Sequence, residues 1–151
     1  MNARLSFDGA FDLRPNAAAP LAAWAEPMLR GRFAELGRGP DEFDCMGVVE
    51  FVQAQLQRPV RDYRACYDAS AVGDADQVDQ IIAAEMSAWR ALDVGGVGDV
   101  LVCGSGRRAH HVAVLCGAGR AVHAQRGAGV KIDLIEGKRA VTRFAGLRVF
   151  G

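Results

Sequence analysis

The sequence predicts an α+β domain with N-terminal helices packed on a C-terminal antiparallel β-sheet. Three observations carry that expectation. Apolar residues recur at three- and four-residue intervals over 48–56 and again over 78–89, the period of helices with one buried face. Beyond residue 98 the pattern changes to short β-type runs, VLVC, HVAVLC, AVHA, VKIDLI and finally LRVF. Glycine-containing turns, GSGRR, GAGR and RGAG, separate the first four runs, as in a meander of antiparallel strands. Half of the 151 residues are hydrophobic, enough for a core without a metal or disulfide framework.

Taken in order, residues 1–29 read as an N-terminal extension and 30–151 as the main domain. The first fifteen residues lack periodicity, and LAAWAEPMLRGRF reads as a covering helix that Pro27 breaks or kinks. Gly37, Gly39, Pro40 and Asp41 then form a loop. In FDCMGVVEFV, Cys45 follows Asp44 and opens a helix whose buried face is Val48, Val49, Val52 and Leu56, with Pro59 just past its end. A second helix is expected in DADQVDQIIAAEMSAWRAL, with Val78, Ile81, Ile82, Met86 and Trp89 on its packing face and Asp74 or Asp76 as N-cap.

Composition narrows the partners. Acidic and basic residues balance at 18 each, which argues against nucleic acid or an anionic membrane surface as a partner. No apolar run approaches the roughly 18 residues of a membrane span, and MNARLSFDGAFDLRP lacks a signal-peptide core, so no export address is expected. Four cysteines, Cys45, Cys66, Cys103 and Cys116, are spaced too widely for a CxxC metal knuckle. Cys103 and Cys116 flank a hairpin across which a disulfide is geometrically open, although buried thiols are the simpler reading. Cys103, Cys116 and the histidines match no common zinc module, and neither metal nor cofactor is expected.

Chemistry is carried by Cys45, His111 and His123 together. A thiol must ionise to attack, and the unpaired N–H groups and dipole of a helix start favour the thiolate. Asp44 opposes this with its own charge while capping the helix, so an imidazole must complete the activation. His111 and His123 stand twelve positions apart across the GAGR turn, and antiparallel pairing brings their rings side by side. His111 then accepts the thiol proton and later donates it to the leaving amine, while His123 fixes its tautomer from the far nitrogen. Alternation points His110 to the opposite strand face. Arg107, Arg108, Arg120 and Arg126 lie in turns near the histidines and read as solvated charge.

DCMGVVEFV followed by GDVLVCGSGRRAHHVAVLCGAGRAVHA resembles the NlpC-type cell-wall peptidases, a papain-like family with D-C-x-G at a helix start, then G-D-hydrophobic, then H-V-G-I and a further H-A. The likeness covers about residues 30–135. It implies a papain-like NlpC-type fold, Cys45 as nucleophile, His111 as general base, His123 as the third, orienting residue, and structural roles for Gly47, Gly98 and Asp99. It implies hydrolysis of amide bonds in peptidoglycan stem peptides without a cofactor. GRGPDEFDCMG looks most like the subgroup encoded by tailed phages and prophages, which implies tail proteins as partners and a place in the virion tail or the host cytoplasm during assembly. Two positions depart from the pattern. Phe33 stands where many relatives carry a tyrosine near the oxyanion site, and Ala113 stands where glycine is usual. Asp44 and Phe33 are the expected substrate-side and oxyanion-side neighbours of the thiol, with the backbone N–H of Cys45 as oxyanion donor. Phe33 also motivates a competing expectation, a structural tail module that keeps the fold without turnover.

Overall fold

The structure is a computed structural model that describes residues 19–58, 60–66, 75–85, 88–92, 94–105, 108–135 and 148–151. A short helix α1 (Ala25–Met28) leads into two-residue strands β1 (Arg32–Phe33) and β2 (Glu42–Phe43), which pair in parallel. Helix α2 (Cys45–Gln55) follows, then a 3₁₀ turn at Tyr63–Cys66 and helix α3 (Ala75–Glu85). The remaining strands are β3 (Ala91–Leu92), β4 (Val100–Ser105), β5 (Arg108–Gly117), β6 (Arg120–Gln125), β7 (Gly129–Leu134) and β8 (Arg148–Phe150). They form one sheet in the order β3-β8-β4-β5-β6-β7.

The meander β4-β5-β6-β7 forms as the turn chemistry suggests. Between β5 and β6 the turn residues Ala118 and Gly119 both take positive φ, 56° and 68°, the type I′ geometry that matches strand twist. That turn holds the register Val114↔Val122 and Leu115↔Ala121. The last run does not extend the meander but crosses to its far side, where β8 pairs with both β4 and β3.

Alternation along the strands divides the core in two. Val100, Val102, Val112, Val114, Val122 and Val130 face the helices and meet Val48, Val49 and Val52 of α2, all at most 5% exposed. Leu101, Ala113, Leu115, Ala121 and Ile135 form a second cluster on the opposite face. Burying a Val or Leu side chain contributes roughly 1.5–3 kcal/mol, so the α2–sheet seam anchors the domain and fixes where α2 begins.

Three expectations are corrected. The covering helix is only four residues long, because Pro27 fits the first turn, where its missing N–H is not needed, while at Gly31 the chain passes so close to Phe43 that a Cβ would sit 2.7 Å from its ring. Its residues Ala25 and Met28 are buried, and Ala22 donates to the Cys116 carbonyl at 2.8 Å, so residues 19–29 pack on the core as far as they are described. The second helix is described to Glu85, and the end of its expected span, Ala91–Leu92, is instead a strand against β8. Asp76 lies inside that helix and is not its cap. Pro59, Asp74, Met86, Arg107 and residues 1–18 lie outside the described residues, as do the side chains of Cys66 and Val78.

Candidate active site

The start of α2 is built around Asp44. Its backbone is extended (φ −99°, ψ −177°), as an N-cap requires, and its carboxylate accepts from the Gly47 N–H at 2.7 Å, the Leu36 N–H at 3.0 Å and Arg38 Nη1 at 2.8 Å. Arg38 in turn pairs through Nε with Glu50 on α2. Gly47 is required by approach: a Cβ there would meet the Gly37 carbonyl oxygen at 1.9 Å. With its side chain 2% exposed and held by these donors, Asp44 caps α2.

Cys45 is half-buried at this helix start. Burial, and then the neighbouring Asp44 charge, push its thiol up to about 12, while the backbone N–H groups of Val112 and Met46 and the Arg38 charge pull the other way. The Val112 contact explains how a helix residue reaches the sheet. By alternation the Val112 N–H points to the same side as that of Val114, toward β6, yet the β5–β6 ladder ends at Val114↔Val122. The sulfur occupies the gap left by the diverging strands. It therefore lies one residue along β5 from His111.

Two rings meet beside that gap. His111 Nε2 is 3.0 Å from His123 Nδ1, and the rings stand edge to face with centroids 5.1 Å apart. His111 is half-buried and His123 is 1% exposed. A β-bulge sets the approach of His111: Cys103 pairs with His111 and Gly104 with Ala109, which leaves His110 as the extra residue. The expectation that alternation alone separates the two histidines is thereby corrected; exposure distinguishes them, His110 being exposed.

Sequence reasoning missed Asp133. Its Oδ2 lies 2.6 Å from His123 Nε2, on the far side of the ring from His111. In the β6–β7 register Lys131 is opposite His123, so Asp133 is the diagonal neighbour on the same face. A strand with an acidic residue at period two reads as ordinary solvent-face patterning; only pairing β6 with β7 in register would have singled it out.

The remaining motif residues brace the site. Gly98 takes φ +92°, and its carbonyl accepts from the buried Gln53 side chain of α2 at 2.8 Å while its N–H donates to Leu115 of β5 at the same distance. Asp99 accepts from the Gly96 N–H at 2.7 Å and tightens that turn. Phe33 offers no hydroxyl, and the Arg126 guanidinium lies 5.1 Å from its ring centroid, itself paired with Glu35 at 2.7 Å. Cys103 and Cys116 are free thiols whose neighbours place them in opposite-face clusters, which excludes a bond between them. Among the described residues, no group of three or more His, Cys, Asp and Glu side chains is arranged to hold a metal ion.

Comparison with known proteins gives this geometry a lineage. No curated protein matches the chain. Among solved structures it is similar to the crystal structure of the NlpC/p60 domain of the peptidoglycan hydrolase SagA, with 26% identity and a TM-score of 0.57 over 90% of this chain and 98% of that domain. The NlpC/P60 family model matches residues 32–149, which contain Cys45, both histidines and Asp133. A papain-like α+β fold with its helix-borne cysteine set against paired strand histidines thus has a family, and the chain belongs to the NlpC/P60 family.

Proposed function

We propose that the protein is a cysteine peptidase that hydrolyses amide bonds in peptidoglycan stem peptides through an acyl-enzyme, with residues 30–151 as the peptidase domain. The observation that carries this reading is the His111–His123 contact beside the strand gap that receives Cys45. His111 takes the thiol proton through its remaining nitrogen, Nδ1, and the sulfur attacks the scissile carbonyl. The backbone N–H of Cys45, at the positive end of α2, faces the developing oxyanion. His111 then protonates the leaving amine, and water releases the acyl group by the reverse proton path. His123 holds the ring of His111 in place throughout.

The sequence GRGPDEFDCMG supports a phage or prophage tail-tip setting, in which the protein reaches the wall as part of a virion and contacts other tail proteins. Phe33 favours a second reading, a tail module of the same fold with weak or no turnover, because loss of one oxyanion donor costs about 10²- to 10³-fold in rate.

Digestion of purified muropeptides, analysed by mass spectrometry, tests the choice. The peptidase reading expects cleaved stem peptides from the wild type and none from Cys45→Ala; equal product from both rules out the Cys45 mechanism, and product from neither supports the structural module.

A further inference from the structure

We infer that Asp133 is a positioning residue that sets the protons on both histidines, so that the reactive group is a chain of four residues and not three. The inference rests on the cysteine-peptidase reading and deepens it.

A carboxylate can only accept hydrogen bonds. Asp133 Oδ2, 2.6 Å from His123 Nε2, therefore requires the proton of that ring to sit on Nε2. In a neutral imidazole the other nitrogen is then an acceptor. His123 Nδ1, 3.0 Å from His111 Nε2, receives a proton from it, which fixes the His111 proton on Nε2. The lone pair of His111 is thereby left on Nδ1, the nitrogen turned away from His123. Without the carboxylate the opposite arrangement is open: a proton on His123 Nδ1, a lone pair on His111 Nε2, and Nδ1–H on His111, a ring that cannot accept the thiol proton.

The step balances without moving any proton on His123. The S–H bond of Cys45 breaks, an Nδ1–H bond forms on His111, and the thiolate and imidazolium are the products. Asp133 stays ionised and stabilises the cation through His123. Water cannot take over this task, since the His123 side chain is 2% exposed, whereas Asp133 is 24% exposed. Among the described residues, the charged or titratable groups around the pair include Lys131, opposite His123 on β7, Cys103, opposite His111 on β4, His110 and Asp79 at the β5 bulge, and Cys45 and Asp44 at the start of α2. Of these groups, Asp133 is the one whose carboxylate meets the outer nitrogen of His123, at 2.6 Å.

Nitrogen-15 NMR of the histidine rings in the full chain at neutral pH reads the tautomers directly. Wild type should show Nε2–H on both His111 and His123; Nδ1–H on His123 would overturn the inference without any variant. Asp133→Asn should lower kcat by about tenfold to a hundredfold with KM within about twofold, alter the His123 ring signals and leave the thermal transition cooperative. Asp133→Glu should restore the wild-type tautomers in part. Unchanged ring signals together with kcat within twofold of wild type in Asp133→Asn would contradict it. If wild type cleaves no muropeptide yet shows the expected tautomers, the substrate assignment fails while the proton order stands.

Discussion

Two thiols make an instructive comparison, Cys45 at the start of α2 and Cys116 within β5. Burial pushes both up to about 12. Their neighbours differ. Around Cys116, Arg120 is the cation that offsets the burial, and the side chain is sealed in the apolar cluster with Val114 and Val122. Around Cys45 stand two backbone N–H donors, a helix start and, one residue along β5, an imidazole braced by another imidazole. A raised thiol value therefore does not separate a structural cysteine from the proposed nucleophile. What separates them is whether a base is built next to the sulfur and whether a helix terminus faces the anion it forms.

The comparison breaks first at His111. Replacing it with alanine leaves Cys45 without its base, and kcat on muropeptides should fall by about 10²- to 10⁴-fold. A loss below threefold in steady-state kinetics would remove His111 from the mechanism. Phe33→Tyr sharpens the oxyanion side. A hydroxyl delivered at this position should raise kcat by about tenfold with little change in KM, less than the full value of an oxyanion donor because the ring must keep its place under Arg126. No gain would show that the backbone N–H at Cys45 suffices. Smallest is Cys116→Ala, which removes one sulfur from the core; it should cost about 1 kcal/mol in chemical denaturation and leave kcat within twofold. A large loss of activity there would erase the distinction between the two thiols.

Much of this site was legible because it depends on local rules. Val48, Val49 and Val52 carry the helix period, the β-type runs carry period two, and the short turn before His123 fixes a register that lets two histidines twelve residues apart meet. Gly47 was marked by its motif, and the clash with the Gly37 carbonyl supplies the reason. Other features depend on partners distant in the chain. Strands β1, β2 and β3 are two residues each, too short to show any period, and exist through the pairing they find. The bulge at His110 is a mismatch between two strands, invisible in either alone. Asp44 reads as a cap from sequence, but its engagement by Arg38 and Leu36 depends on the loop before it folding back. Asp133 lies in a strand whose pattern is unremarkable until β7 is set against β6.

The most direct test of the central claim, that folding pairs the Cys45 sulfur with the His111 base, is the pH dependence of Cys45 alkylation by iodoacetamide, followed peptide by peptide in wild type and His111→Ala. A thiol pushed up by burial and by Asp44 stays protonated near neutrality unless a base takes its proton, so without His111 its reaction should climb only at strongly alkaline pH. Paired with an imidazole, the thiolate exists near neutrality. Wild-type Cys45 should react rapidly at pH 7, far ahead of Cys116, and His111→Ala should shift its curve to strongly alkaline pH. Equal, slow reaction of Cys45 in both proteins at neutral pH would contradict the pairing.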